Sequence, residues 1–172
     1  SAWITQNGLQ LITTASLSST SVSVNNCFTS AYANYLIVCG DVVFNSASAR
    51  DLYLRLRASG TDSSTSNYVN VRLGAYGASV FSAGATDAQF TINAVLDSTY
   101  QCSFSTHVFS PQLATTTNIL STSVGYRNAT GIQIWHQAGT HSLATSYDGF
   151  SLLCSTLSFT SGTVYVFGME NQ

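Results

Sequence analysis

Lysine is absent from all 172 residues, and the only basic side chains besides histidine are Arg50, Arg55, Arg57, Arg72 and Arg127. Charged residues make up 7% of the chain, against about 25% in an average soluble domain. Five scattered cations and a formal charge of −2 exclude the dense basic surface that phosphate backbones require, so no nucleic-acid partner is expected. Long apolar runs are missing too. The longest, Leu36 to Cys39, is strand-sized and far short of the roughly 18 residues of a spanning helix, so no membrane insertion is expected. No basic segment leads into an apolar one, and no signal peptide is visible. Helical patterning is equally scarce, since no window places apolar residues at i, i+3, i+4 and i+7 behind a cap.

Hydroxyls fill the gap. The chain holds 27 Ser and 21 Thr, yet 45% of its residues are hydrophobic, enough to build a core under a neutral coat. Alternation with period two recurs throughout. Leu52, Leu54 and Leu56 alternate with Tyr53, Arg55 and Arg57, and Val69, Val71 and Leu73 with Asn70 and Arg72. The same pattern marks Tyr100–Val108, Ile132–Trp135 and Val164–Phe167, with further strands at Leu9–Thr13, Ser21–Val24, Tyr35–Phe44, Gln89–Leu96 and Phe150–Cys154. About ten short strands with one buried face each predict an all-β fold, an antiparallel β-sandwich or jelly roll. The apolar member of each alternation is expected inside, which puts both Leu54 and Val71 in the core. Gly84-Ala85-Thr86-Asp87 reads as a turn, and Ser63–Asn67 and Ala114–Asn118 read as loops.

Length allows one domain with a full core. The organisation expected is an N-terminal arm, residues 1-8, followed by a single β-sandwich domain, residues 9-172. Trp3 and Ile4 in the arm are costly to leave in water and are expected to pack on the domain or on a neighbouring copy as a subunit contact. Sheet proteins usually guard their edges with lysine, proline or inward charges. Here lysine is absent and proline occurs once, at Pro111, so edges sealed by sister subunits are expected, and with them a homo-oligomer. Cys27, Cys39, Cys102 and Cys154 include no CxxC pair, and their apolar neighbours point to buried free thiols rather than to disulfides.

Chemistry-bearing residues are few. His136 and His141 lie five apart, which fits no helical zinc spacing, so no metal and no cofactor are expected. His107 falls on the polar side of a strand, and exposed or loop-capping roles suit the histidines best. There is no GxSxG elbow. Asp62 and Asp148 sit beside Ser and Gly, and Asp87 closes Gly84-Ala85-Thr86-Asp87, all turn-like contexts where Asp bonds its own backbone. The chain is therefore expected not to be an enzyme. Aromatic residues make a better binding argument. Tyr53, Tyr76, Tyr126, Trp135 and Tyr147 fall on polar strand faces or in loops, where they suit either sugar stacking or a subunit interface.

Several segments then look alike to a known module. They are the opening Asn7–Ile12 and Ser21–Tyr35, with Asn25-Asn26-Cys27-Phe28-Thr29-Ser30 leading to Asn34-Tyr35, together with Leu54–Thr61, Tyr147–Leu152 and the closing Ser161–Gly168. In these the chain resembles a β-sandwich module of bacteriophage virion surface proteins, of the tail-fibre or receptor-binding knob type or the small capsid decoration type. Residues 75–130 match it only in character. The resemblance implies a non-enzymatic structural protein on the virion surface, often a homotrimer, that contacts other virion proteins and mediates host attachment. A capsid decoration (cement) protein is the alternative it leaves, and the aromatic residues add a second, a lectin-like module binding a host surface glycan.

Overall fold

The structure, a computed structural model, describes residues 8–45, 51–92, 100–127, 131–154 and 156–169. Among these lie thirteen strands and no helix. The first seven are β1 (Leu9–Ser16), β2 (Ser21–Val24), β3 (Asn34–Phe44), β4 (Leu52–Ala58), β5 (Thr61–Asp62), β6 (Tyr68–Tyr76) and β7 (Ser79–Asp87). The remainder are β8 (Phe90–Thr91), β9 (Cys102–Phe109), β10 (Thr117–Arg127), β11 (Gly131–His141), β12 (Gly149–Cys154) and β13 (Phe159–Met169). Eight strands form one sheet in the order β1-β13-β3-β9-β10-β11-β6-β7. The other five form a smaller sheet, β2-β12-β4-β5, with β8 also paired on β4. Every pairing between named strands is antiparallel. The all-β sandwich read from the alternation is the fold of the chain.

The core forms where the small sheet covers the large one. Tyr35, Ile37 and Cys39 of β3, Phe104 and Val108 of β9, and Val164 and Val166 of β13 join Leu52, Leu54 and Leu56 of β4 and Phe150 and Leu152 of β12 in one buried cluster. Each strand contributes alternate residues, as period-two geometry requires. Chain reversal between β4 and β5 needs only Ser59 and Gly60, both at positive φ (50° and 78°), the geometry that matches strand twist in a two-residue hairpin. All four cysteines are free and buried. Burial pushes the Cys27 and Cys39 thiols up to about 12, and it raises Cys102 further still.

Two sequence expectations need correction. Gly84–Asp87 is the second half of β7 rather than a turn, and Thr117–Asn118 opens β10 instead of closing a loop. Small and hydroxylated residues hid both strands. More consequential is the facing of β6, β10 and β11. Val71 is 59% exposed, and Val69, Leu73, Leu120, Val124, Ile132 and Ile134 are also exposed. The buried positions are their polar neighbours Asn70, Ser121, Ser123, Gln133 and Gln137. Leu54 is fully buried as expected, but Val71 points outward. Alternation locates two faces; it cannot say which one a second sheet will cover. Trp3 and Ile4 lie outside the described residues, as do residues 93–96 of the expected Gln89–Leu96 strand.

Candidate functional site

Register places the outward residues of the large sheet in rows across several strands. One row runs Leu11, Phe167, Leu36, His107, Leu120, Ala138 and Val71. Another runs Val124, Ile134, Ala75 and Val80. Asp41 is exposed at the irregularity near the end of β3, but none of the described outward residues of β6, β7, β10 and β11 is Asp, Glu, Lys or Arg. Val80 is 72% exposed and Ile132 66%. Eight aliphatic side chains on β6, β7, β10 and β11 each expose close to half of their surface or more. Together they present on the order of 700 Å² of apolar area, at or above the largest patch of a typical monomer. Small residues hollow this face in two places. Ala138 and Gly139 floor a depression of about 430 Å³ rimmed by Val69, Val71 and Leu120. Gly40, Ser103 and Ser105 floor one of about 370 Å³ beside Val38 and Val124.

The five aromatics singled out in the sequence are distributed over several environments. Tyr126 lies on the outer face, its ring 4.2 Å from that of Tyr100. Tyr76 and Trp135 flank Phe81, at 4.3 Å and 6.2 Å between centroids, and form a ladder on the opposite side of the sheet. Gly74 makes room for it, since a Cβ there would stand 2.2 Å from the Trp135 ring. Arg72 caps the ladder, its guanidinium carbon 5.7 Å from the Trp135 ring centroid. Tyr147 must be struck from the sugar-stacking set. It is 1% exposed, and its hydroxyl lies 3.1 Å from His141 Nδ1.

His141 is likewise neither exposed nor a loop cap. Its ring is buried with Nε2 3.0 Å from Ser63 Oγ and packs edge-on against Tyr68 and Tyr147. Burial lowers its pKa below 6.5. His136 is exposed and bonds Thr122 Oγ1 at 3.1 Å, while His107 stacks on Phe109. The three histidines are thus dispersed. No group of three or more His, Cys, Asp or Glu that could hold a metal occurs among the described residues. Asp62 pairs with Arg57, and Asp148 accepts a hydrogen bond from the Ser59 amide at 2.9 Å. Both carboxylates brace turns.

Tyr53 belongs to a different feature, a polar cleft at the corner where the chain leaves β7 for β8. Arg55 braces that corner by donating to the Ala88 carbonyl (3.2 Å) and to Gln89 Oε1 (3.0 Å). The cleft holds about 130 Å³ between Asp51 and Tyr53 on one wall and Asn70, Arg72, Asp87 and Gln137 on the other. Sequence reading missed Asn70 and Gln137 as site residues. The available signal was their position between outward apolar neighbours, which makes an amide the inward group. No protein-family model, no curated protein and no solved structure matches the chain.

Proposed function

We propose that this chain is a non-enzymatic bacteriophage virion surface protein that assembles with copies of itself, most simply as a homotrimer, and serves as a host-attachment knob. The phage assignment rests on the sequence resemblance. The observation that carries the assembly is the apolar face that β6, β7, β10 and β11 present on the large sheet. Its area, on the order of 700 Å², is close to the roughly 800 Å² that each partner contributes to a standard interface. Its depressions beside bulky rims supply the relief that two such faces need to interlock. On β6, β7, β10 and β11 no charged side chain among the described outward residues must be desolvated when the face closes. β7 adds to this reading: it is an edge strand of nine residues that carries neither lysine nor proline.

Light scattering over a concentration series tests the proposal. The native chain is expected to run as an oligomer, and Ile134→Asp, in the middle of the face, as a folded monomer. A native chain that stays monomeric at high concentration would refute it.

A further inference from the structure

The polar cleft holds buried groups that the fold leaves unsatisfied. Gln137 is 2% exposed, and neither its Oε1 nor its Nε2 has a hydrogen-bond partner. Asn70 is also buried; its Nδ2 donates to the Tyr68 and Gln89 carbonyls, while its Oδ1 accepts nothing. Burying an amide without partners forfeits its hydrogen bonds to water with nothing in return. A scaffold with no use for the cleft would place an aliphatic residue at position 137. Both amides line the cleft, so whatever occupies it must supply both donors and acceptors.

Charge narrows the class of occupant. Asp51 and Asp87 carry two negative charges against the one of Arg72, which lies 3.5 Å from Asp51. The remaining negative charge disfavours phosphate, sulfate and acidic sugars. Arg72 at the same time disfavours a bare cation. Tyr53 stands beside both carboxylates, and its phenol is held above its ordinary pKa by burial and by Asp51 and Asp87. It therefore remains a protonated donor. Asp87 Oδ1 accepts from the Ala88 amide at 2.6 Å, which fixes that carboxylate in place.

We infer that the cleft is a binding site for the hydroxylated edge of a neutral sugar ring, with Gln137 and Asn70 reading adjacent hydroxyls that Asp51, Asp87 and Tyr53 orient. A hydroxyl both donates and accepts, so a vicinal pair can satisfy Gln137 Oε1, Gln137 Nε2 and Asn70 Oδ1 together. The volume of about 130 Å³ admits one edge of a ring and leaves the rest outside. That is the geometry of a terminal residue on a glycan. The inference deepens the attachment part of the proposed function, because weak single sites multiply across an oligomer. It stands on separate geometry: the cleft opens on the inner side of β6 and β7, away from the apolar face.

The test is a titration followed by side-chain amide NMR signals, adding glucose, galactose, mannose or N-acetylglucosamine, with phosphate and calcium chloride in parallel. At least one neutral sugar is expected to shift the Gln137 amide saturably, with a Kd on the order of 1 mM for so shallow a site. Gln137→Leu, which melts no lower than the native chain, and Tyr53→Phe should each weaken binding about tenfold or more. The inference is overturned if no sugar gives a saturable shift, if phosphate or calcium alone does, or if both variants bind as the native chain does. Repeating the titration on monomeric Ile134→Asp separates the two readings. Sugar binding by that variant upholds the cleft even where assembly fails, and assembly without sugar binding leaves only the knob.

Discussion

Aspartate placed at Leu54 or at Val71 probes the same chemistry on opposite faces of the sandwich. Leu54 lies in the middle of β4, fully buried between Leu152 and Phe90 on its two neighbouring strands. Removing its side chain forfeits about 1.5–3 kcal/mol of burial. The incoming carboxyl has no partner there and must be neutralised, and at pH 7 that costs about 4 kcal/mol, set by the three or so pH units above its ordinary pKa. The total, on the order of 6 kcal/mol, rivals the entire stability of a typical domain, about 5–15 kcal/mol. Val71 is 59% exposed, so aspartate there keeps its water. The loss is about 1 kcal/mol, mostly strand propensity. Urea unfolding followed by circular dichroism, at a dilution where the native chain is monomeric, removes the contribution of assembly to apparent stability. Leu54→Asp should yield no cooperative transition, whereas Val71→Asp should unfold almost as the native chain does and show weakened self-association by light scattering. If Val71→Asp collapses as Leu54→Asp does, the outward facing of β6 is wrong, and the assembly surface fails with it.

Acid should act through His141. Its folded-state pKa lies below 6.5 because burial disfavours the imidazolium, so below pH 6.5 the unfolded chain binds a proton that the native state refuses. Stability is therefore unaffected by this group above that pH and falls at up to about 1.4 kcal/mol per unit below it, until the folded pKa is reached. Urea midpoints between pH 7 and 5 should decline, and His141→Phe should flatten that decline; an unchanged slope would exclude His141. Gly149→Ala would bring a Cβ to 2.2 Å from the Val24 carbonyl oxygen, where β12 pairs with β2. Because the obstruction is backbone, the expected loss is about 1–3 kcal/mol. A melting temperature equal to that of the native chain would show that the two strands can part freely.

Strand content was legible in the sequence wherever bulky residues alternate, as in β4, β9 and β13. β7 escaped notice because Ser82, Ala83, Gly84 and Ala85 carry turn-like composition, and β10 because its inward side is Ser121 and Ser123. Facing was legible only where a second sheet lies opposite. On β4 the rule that apolar residues go inside holds. On β6 and β11 the inner positions meet a polar cleft and an aromatic ladder, and the outer ones form the apolar face. The cleft itself depends on register: Arg72 stands opposite Gln137 and Asn70 opposite Gly139, neighbours some 65 residues apart in the chain. Tyr53 could be nominated by residue type alone; the two orphaned amides could not.

Thiol chemistry follows the thiolate, and burial denies that form to Cys27, Cys39 and Cys102 alike. The folded chain can sit in an oxidising medium without cross-linking through these three thiols, because no reagent meets their ionised sulfur until the sandwich parts. The cysteines then serve as a built-in clock: the pace at which an alkylating agent claims them reads out how often the two sheets come apart.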